Sequence, residues 1–246
     1  MTSQRPVALV TGAARRIGAA IADGLHSAGY DLALHYRESA DAAALLQNRL
    51  EGRRRNSTVL LRAELADTAR LPDLVARCVT RFGRLDALVN NASGFFPSPI
   101  GSTSEAMWDA LFASNAKAPF FLAQAAAPHL RETRGGIVNL VDIYAERPLE
   151  GHTVYCMAKA SLQMLTYSLA RELGPEVRVN GIAPGAILWP DSGKAYTDQE
   201  ALIAGTALKR VGAPHNIADA VLFLLREASY TTGQVLRIDG GRSLGL

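Results

Sequence analysis

The chain has only two cysteines, Cys78 and Cys156, in 246 residues. They are too few and too far apart for a disulfide framework or a zinc cluster, which excludes a stapled secreted scaffold and predicts a reducing compartment. Cys156 adjoins Tyr155, yet adjacent helix positions point in different directions, so it reads as a small packed residue and not as a redox thiol. Long hydrophobic runs are missing too: residues 1–6 hold no apolar secretory core, and no later run is long enough to span a bilayer. A cytoplasmic protein with no membrane partner is the expectation. Charge of one sign is scarce, with a formal net charge of +3, and Arg53-Arg54-Arg55 reads as a solvated loop after a helix, so no nucleic-acid partner is predicted. No internal repeat or low-complexity segment interrupts the chain.

What is present is an alternation of two patterns. With 48% hydrophobic and 20% charged residues, the composition supports a large buried core and excludes general disorder. Apolar runs bounded by turn residues predict strands at 7–10, 31–36, 58–62, 87–90, 136–141, 178–182 and 234–238. Helical periodicity fills the gaps at 17–28, 40–50, 68–82, 104–130, 153–173 and 215–226. Strands alternating with amphipathic helices imply an α/β fold: a doubly wound parallel sheet of about seven strands, with right-handed crossovers and helices on both faces. The rhythm runs unbroken, so residues 1–246 read as one domain. The least regular stretch, 185–197 with Trp189, Pro190 and Gly193, precedes a helical pattern at 198–204; it reads as a flap over a cleft or as an ordinary surface connection.

Such a sheet binds ligands beyond the carboxyl ends of its strands. Gly12, Arg37, Asn90-Asn91-Ala92-Ser93, Asp142 and Pro184-Gly185 each follow a strand and converge there. In Thr11-Gly12-Ala13-Ala14-Arg15-Arg16-Ile17-Gly18, Gly12 permits a tight turn and Gly18 close helix contact, and the N–H groups of the helix start favour a pyrophosphate. The second strand ends His35-Tyr36-Arg37-Glu38-Ser39. An NAD site places an acid there, whereas a 2′-phosphate needs cations or hydroxyls. Arg37 and Ser39, with Arg15 and Arg16 adding to the field, therefore predict NADP(H), with Glu38 turned to solvent. Tyr155 and Lys159 share one helical face. An ammonium beside a phenol favours phenolate and lowers its pKa from about 10 toward the range of effective acid catalysis. Alone, that tetrad is as compatible with chance; beside the glycine turn it reads as a proton-transfer pair.

The glycine turn, Asn90-Asn91-Ala92, Asn115, the Tyr155/Lys159 pair and Pro184-Gly185 together resemble the short-chain dehydrogenase/reductase family over essentially the whole chain. The resemblance implies a Rossmann-type fold and a homotetramer built on the long helices and the C-terminal strand. It implies that Tyr155 is the acid, that Lys159 binds the nicotinamide ribose and lowers the tyrosine pKa, and that Asn115 supports a proton-relay water. Further cofactor contacts fall on Gly12, Arg15, Arg16, Ile17, Gly18, His35, Tyr36, Arg37, Ser39, Glu64, Leu65, Asn91, Ala92, Ser93, Pro184, Gly185 and Ile187. Two departures narrow the likeness. Arg16 replaces the middle glycine of the turn, and Asp142 ends Asn139-Leu140-Val141-Asp142 where a serine is usual. Both resemble the pteridine reductases, as do His35-Tyr36, Ser93 followed by Phe95, and Val141-Asp142; dihydromonapterin reductases share much of the pattern. The implied reaction is NADPH-dependent hydride transfer to a C=N bond of a dihydropterin or dihydrofolate. Phe95 would give an aromatic face, Ser93 and Arg16 would bond the ring edge, and Asp142 would organise proton delivery with Tyr155. Leu188 and Trp189 would flank the substrate from the flap.

Each assignment has a plainer counterpart. Asp142 is suited to cap the irregular segment after its strand, Phe95 and Phe96 to pack locally beside Pro97, and His35 to pack at a strand end. Arg16 fits a solvated first turn, although a cation there opposes the helix dipole. Glu64 stands where the family usually has an aspartate on adenine, and Ile187 where many relatives put a hydroxyl on the carboxamide. Two other functions stay open. One is a carbonyl reductase acting on a 3-oxoacyl thioester, sugar or steroid ketone, against which Asp142 argues. The other is a non-catalytic NADP-binding redox sensor, against which the intact Tyr155, Lys159 and Asn115 set argues. No metal site is predicted.

Overall fold

The computed structural model describes residues 5–188 and 199–245. Its strands are β1 (Val7–Val10), β2 (Asp31–Tyr36), β3 (Thr58–Arg62), β4 (Ala87–Asn90), β5 (Gly136–Leu140), β6 (Arg178–Pro184) and β7 (Val235–Ile238). They pair in parallel in the order β3-β2-β1-β4-β5-β6-β7. The crossovers are α1 (Arg16–Ser27), α2 (Ala40–Arg53), α3 (Leu71–Phe82), α4 (Glu105–Phe112), α5 (Ala118–Thr133), α6 (Thr153–Leu173), α7 (Gln199–Gly205) and α8 (Pro214–Arg226). This is the Rossmann-type doubly wound sheet that the alternating patterns predict.

The two-residue period of β1 shows how both faces are covered. Val7 and Leu9 join one core with Leu71, Leu74, Leu122 and Leu130 of α3 and α5. Ala8 and Val10 join the other with Ile21, Leu25, Val221 and Leu224 of α1 and α8. Parallel strands buried on both sides carry apolar residues at every position, as all four residues of β1 do. The strand order reverses between β1 and β4, because the chain runs outward through β3 and returns to the other edge of β1. That reversal leaves a crevice at the carboxyl ends of β1 and β4.

Two helices are interrupted where periodicity alone predicts continuity. In the span 104–130, α4 and α5 are separated by a π turn at Ala113–Lys117. The Asn115 side-chain Nδ2 donates to the carbonyl of Leu111 at 2.9 Å, and Pro119 has no N–H to offer the carbonyl of Asn115. Side-chain competition and a missing donor together widen the turn. In the span 68–82, Thr68–Arg70 forms a tighter turn before α3. Pro72 leaves Thr68 without a donor four residues on, and the N–H of Leu71 takes that carbonyl instead. Of the expected flap, 185–188 and the part in α7 are described; Trp189 and Asp198 lie outside the described residues. Among the described residues no helix is long and apolar enough to cross a membrane.

Candidate active site

At the end of β1 the chain is stitched to the end of β4. Thr11 Oγ1 accepts the N–H groups of Asn91 and Ala92 at 2.9 and 3.0 Å, and Asn91 Nδ2 donates to the carbonyls of Thr11 and Gly12 at 2.8 and 3.2 Å. Gly12 has φ +62°, and a Cβ on Gly18 would sit 2.1 Å from the Gly12 carbonyl oxygen, so the turn closes onto bare backbone. The start of α1 has no side-chain cap and no acid in its first turn. This helix start carries the exposed Arg15 and Arg16. This fits a dinucleotide pyrophosphate: a positive dipole end and two cations. Arg16 adopts φ 54°, the left-handed conformation in which glycine is at home, and so carries strain where the family pattern has glycine.

His35, Tyr36, Arg37 and Ser39 follow along β2. The His35 ring is buried, with Nδ1 accepting the Gly12 N–H at 3.1 Å and Nε2 3.1 Å from the Ala63 carbonyl. Burial lowers its pKa against the pull of the Ala63 carbonyl and Glu64, and these contacts select the neutral Nε2–H tautomer. Its ring is thus committed to backbone and holds the Gly12 turn. Arg37 is exposed and lies 3.2 Å from Glu38 and 3.7 Å from Glu64. Glu38 faces solvent as expected, but it also pairs with the guanidinium meant for the phosphate. Glu64 further accepts the N–H of Ala66 at 3.1 Å, while Leu65 is buried.

The centre of the site is a half-buried carboxylate bonded to a buried phenol. Asp142 ends the β5 segment: Oδ1 accepts the N–H of Tyr144 at 3.0 Å, capping the turn Ile143–Ala145, and Oδ2 accepts the Tyr155 hydroxyl at 2.7 Å. One oxygen serves the structural role and the other faces the chemistry. Burial raises the Asp142 pKa, opposed by the Tyr144 N–H, the Tyr155 hydroxyl and the charges of Lys159 and Arg242. Lys159, only 2% exposed, donates from Nζ to the Leu140 carbonyl at 2.8 Å and lies 5.7 Å from the centre of the Tyr155 ring. Burial pushes its pKa down to about 8, against the pull of Asp142.

Asn115, for which a relay role is implied, lies in the π turn with its side chain bonded to protein groups. Its Oδ1 accepts the Ser93 hydroxyl at 2.7 Å, and its Nδ2 donates to the carbonyls of Gly94 and Leu111, both at 2.9 Å. Fully buried in the π turn, this amide holds the loop that presents Ser93 and Phe95. Phe95 meets the Tyr155 ring at 79° with centroids 4.8 Å apart. After β6, Pro184 and Gly185 lead to Ile187, which is buried, and Leu188, which is exposed. Ile187 also lines a cavity of about 590 Å³ with Leu208, Gly212, Asn216, Arg237 and Asp239, beyond the end of β7. Among the described residues no group of three His, Cys, Asp or Glu is placed to hold a metal ion.

Three neighbours of the site escape sequence reasoning. Tyr144 and Arg242 meet across 98 residues, with Arg242 Nη2 donating to the Tyr144 hydroxyl at 3.0 Å. His152 stacks on Phe95. Spacing gives no signal for contacts of this range; the one local cue is that Arg242 directly follows Gly240-Gly241.

Residues 12–243 match the family profile described as enoyl-(acyl carrier protein) reductase. The chain is similar to pteridine reductase 1 of Leishmania tarentolae, at 38% identity with 97% of this chain and 96% of that protein aligned. It is also similar to the 3-oxoacyl-acyl-carrier-protein reductase FabG of Staphylococcus aureus (strain Mu50 / ATCC 700699), at 35% identity with 95% and 96% aligned.

Proposed function

The chain belongs to the short-chain dehydrogenase/reductase family, and we propose that it is an NADPH-dependent reductase of a C=N bond in a dihydropterin or dihydrofolate. The observation that carries this reading is the 2.7 Å hydrogen bond from the Tyr155 hydroxyl to Asp142. A carbonyl substrate wants donors around its oxygen, and a carboxylate there would set acceptor against acceptor. An imine-like nitrogen wants a proton, and the Tyr155 hydroxyl, oriented by its bond to Asp142, has one to give.

NADPH, held by the glycine turn and the Arg37 cation at the end of β2, would supply a hydride for the ring carbon of the C=N bond. Tyr155 would give its hydroxyl proton to the ring nitrogen, so the bond becomes CH–NH, and the phenolate left behind would take a new proton from solvent. The Lys159 ammonium stabilises the phenolate formed as the proton leaves. Phe95 offers its face to the flat ring, with Ser93 and Arg16 at the ring edge. Asn115 fixes Ser93 through their hydrogen bond. At the other end, Arg37, Ser39, Arg15 and Arg16 favour the 2′-phosphate of NADPH. The exposed pairs of Arg37 with Glu38 and Glu64 are of a kind worth only about 0–1 kcal/mol, which a dianionic phosphate displaces. The assembly in this proposal is a homotetramer built on α5, α6 and the C-terminal strand. The exposed Phe120, Met157, Met164 and Tyr167 of the two helices support it.

A second reading, reduction of a 3-oxoacyl thioester, rests on the likeness to the FabG protein. NADPH oxidation measured with dihydropterin, dihydrofolate and a ketone panel separates the two. Wild type is expected to prefer the pterins, Tyr155→Phe to lose roughly 10²–10⁴-fold in turnover, and Asp142→Ser to lose pterin turnover selectively. A preference for ketones, or unchanged pterin turnover in Asp142→Ser, would overturn the proposal.

A further inference from the structure

We propose that His152 is a positioning residue that makes this site selective for flat heteroaromatic rings, by bracing Phe95 from behind; the inference rests on the pterin reading above. The Phe95 and His152 rings lie 4.8 Å apart between centroids at 13°, so the imidazole covers one face of the phenyl ring. Tyr155 stands nearly perpendicular to the same phenyl. Phe95 is half-buried beside the acid, and a ligand would meet the part of its ring that these two neighbours leave open.

The imidazole is itself held. Its Nδ1 lies 2.9 Å from the Glu150 carbonyl, which accepts only, so Nδ1 carries the proton and the ring cannot flip without losing that bond. The residue is 6% exposed, and its buried Nε2 has no hydrogen-bond partner among the described residues. A bare buried acceptor is a net cost. The stack on Phe95 supplies the bracing surface, and the Nδ1 tether fixes the orientation of the ring. Around it the loop after β4 is fastened to the start of α6. Ser98 N–H donates to the Gly151 carbonyl at 2.6 Å, and the Val154 N–H donates to Ser98 Oγ at 3.1 Å. His152 is the N-cap of α6, and Tyr155 follows in the first turn of that helix. His152 therefore ties the aromatic platform and the acid into one rigid unit, which suits a planar substrate that must lie flat and present one nitrogen to Tyr155. A flexible acyl chain gains nothing from that platform.

The test is a double-mutant cycle of Phe95→Leu and His152→Leu, with His152→Phe as the conservative variant. The readouts are dihydropterin affinity by calorimetry in the presence of NADP⁺, KM and kcat for dihydropterin, KM for a ketone, and melting temperature. His152→Leu is expected to weaken pterin binding roughly three- to tenfold, the range of one aromatic stack, to raise the pterin KM in step with little change in kcat, and to leave any ketone KM alone. His152→Phe should recover most of the affinity, and His152→Leu should add no further loss on top of Phe95→Leu. Wild-type pterin affinity in His152→Leu, fully additive losses, or equal losses for pterin and ketone would overturn the inference. Should His152→Leu not fold, the Phe variant decides: affinity reduced as far as in Phe95→Leu refutes the bracing role. Pterin binding without turnover by wild type would refute the catalytic reading while the cycle still measures the brace; no pterin binding at all would refute both.

Discussion

Lys159→Met is expected to abolish most activity and to change the pH dependence of stability in a calculable way. The wild-type ammonium is buried, and its pKa is pushed down to about 8 against 10.5 for a free lysine. The folded protein therefore sheds this proton first, and between those two values the unfolded chain binds more protons. Stability contributed by this group rises with pH through that window; the cost of burying the charge is fully present below about pH 8 and is gone above the unfolded value. Integrating over the window, wild type gains about 2 kcal/mol between pH 8 and pH 10 from Lys159 alone. Methionine fills similar space and gains nothing. Loss of the hydrogen bond to the Leu140 carbonyl penalises the variant at each pH and cancels in the comparison. For a chain of 246 residues, with unfolding entropy near 2 cal/mol/K per residue, the relative shift amounts to about 4 °C in melting temperature against the variant on going from pH 8 to pH 10. Thermal melts of both proteins at pH 8, 9 and 10 measure it. Melting temperatures that run parallel across that range would show that Lys159 is not a buried cation, and the account of the phenol would fail with it.

Arg242→Met removes a cation from the neighbourhood of Asp142 and breaks the hydrogen bond to Tyr144. With burial then less opposed, the Asp142 pKa rises further, so the acidic limb of the kcat/KM profile should move to higher pH; a superimposable profile would remove Arg242 from the network. Arg16→Gly should act in opposite directions on two measurements. Relief of the left-handed φ of 54° is expected to stabilise the fold by about 1 kcal/mol in urea unfolding, while NADPH and pterin affinity both fall. Lower stability with unchanged affinity would mean that the guanidinium is structural.

The strands were legible because short apolar runs between turn residues leave little choice: the spans 7–10, 31–36, 58–62 and 87–90 match β1 to β4. Parallel order followed from the helices between them. The π turn was not legible, because apolar periodicity runs through it from Trp108 to Leu130 and the cause is one amide reaching back four residues. Around the site, Tyr155, Lys159 and Asp142 were readable since local spacing and strand ends place them. The stack of His152 on Phe95 and the reach of Arg242 to Tyr144 depend on how separate loops dock, and a one-dimensional pattern carries no record of docking.

The bonds from Asn91 and Thr11 that close the glycine turn join residues 80 positions apart. Every letter of the nucleotide-binding signature is therefore synthesised long before the object it spells exists. A fragment ending ahead of β4 would hold the motif intact and still lack the bonds that close the turn, so nucleotide affinity is expected only once the fourth strand has docked.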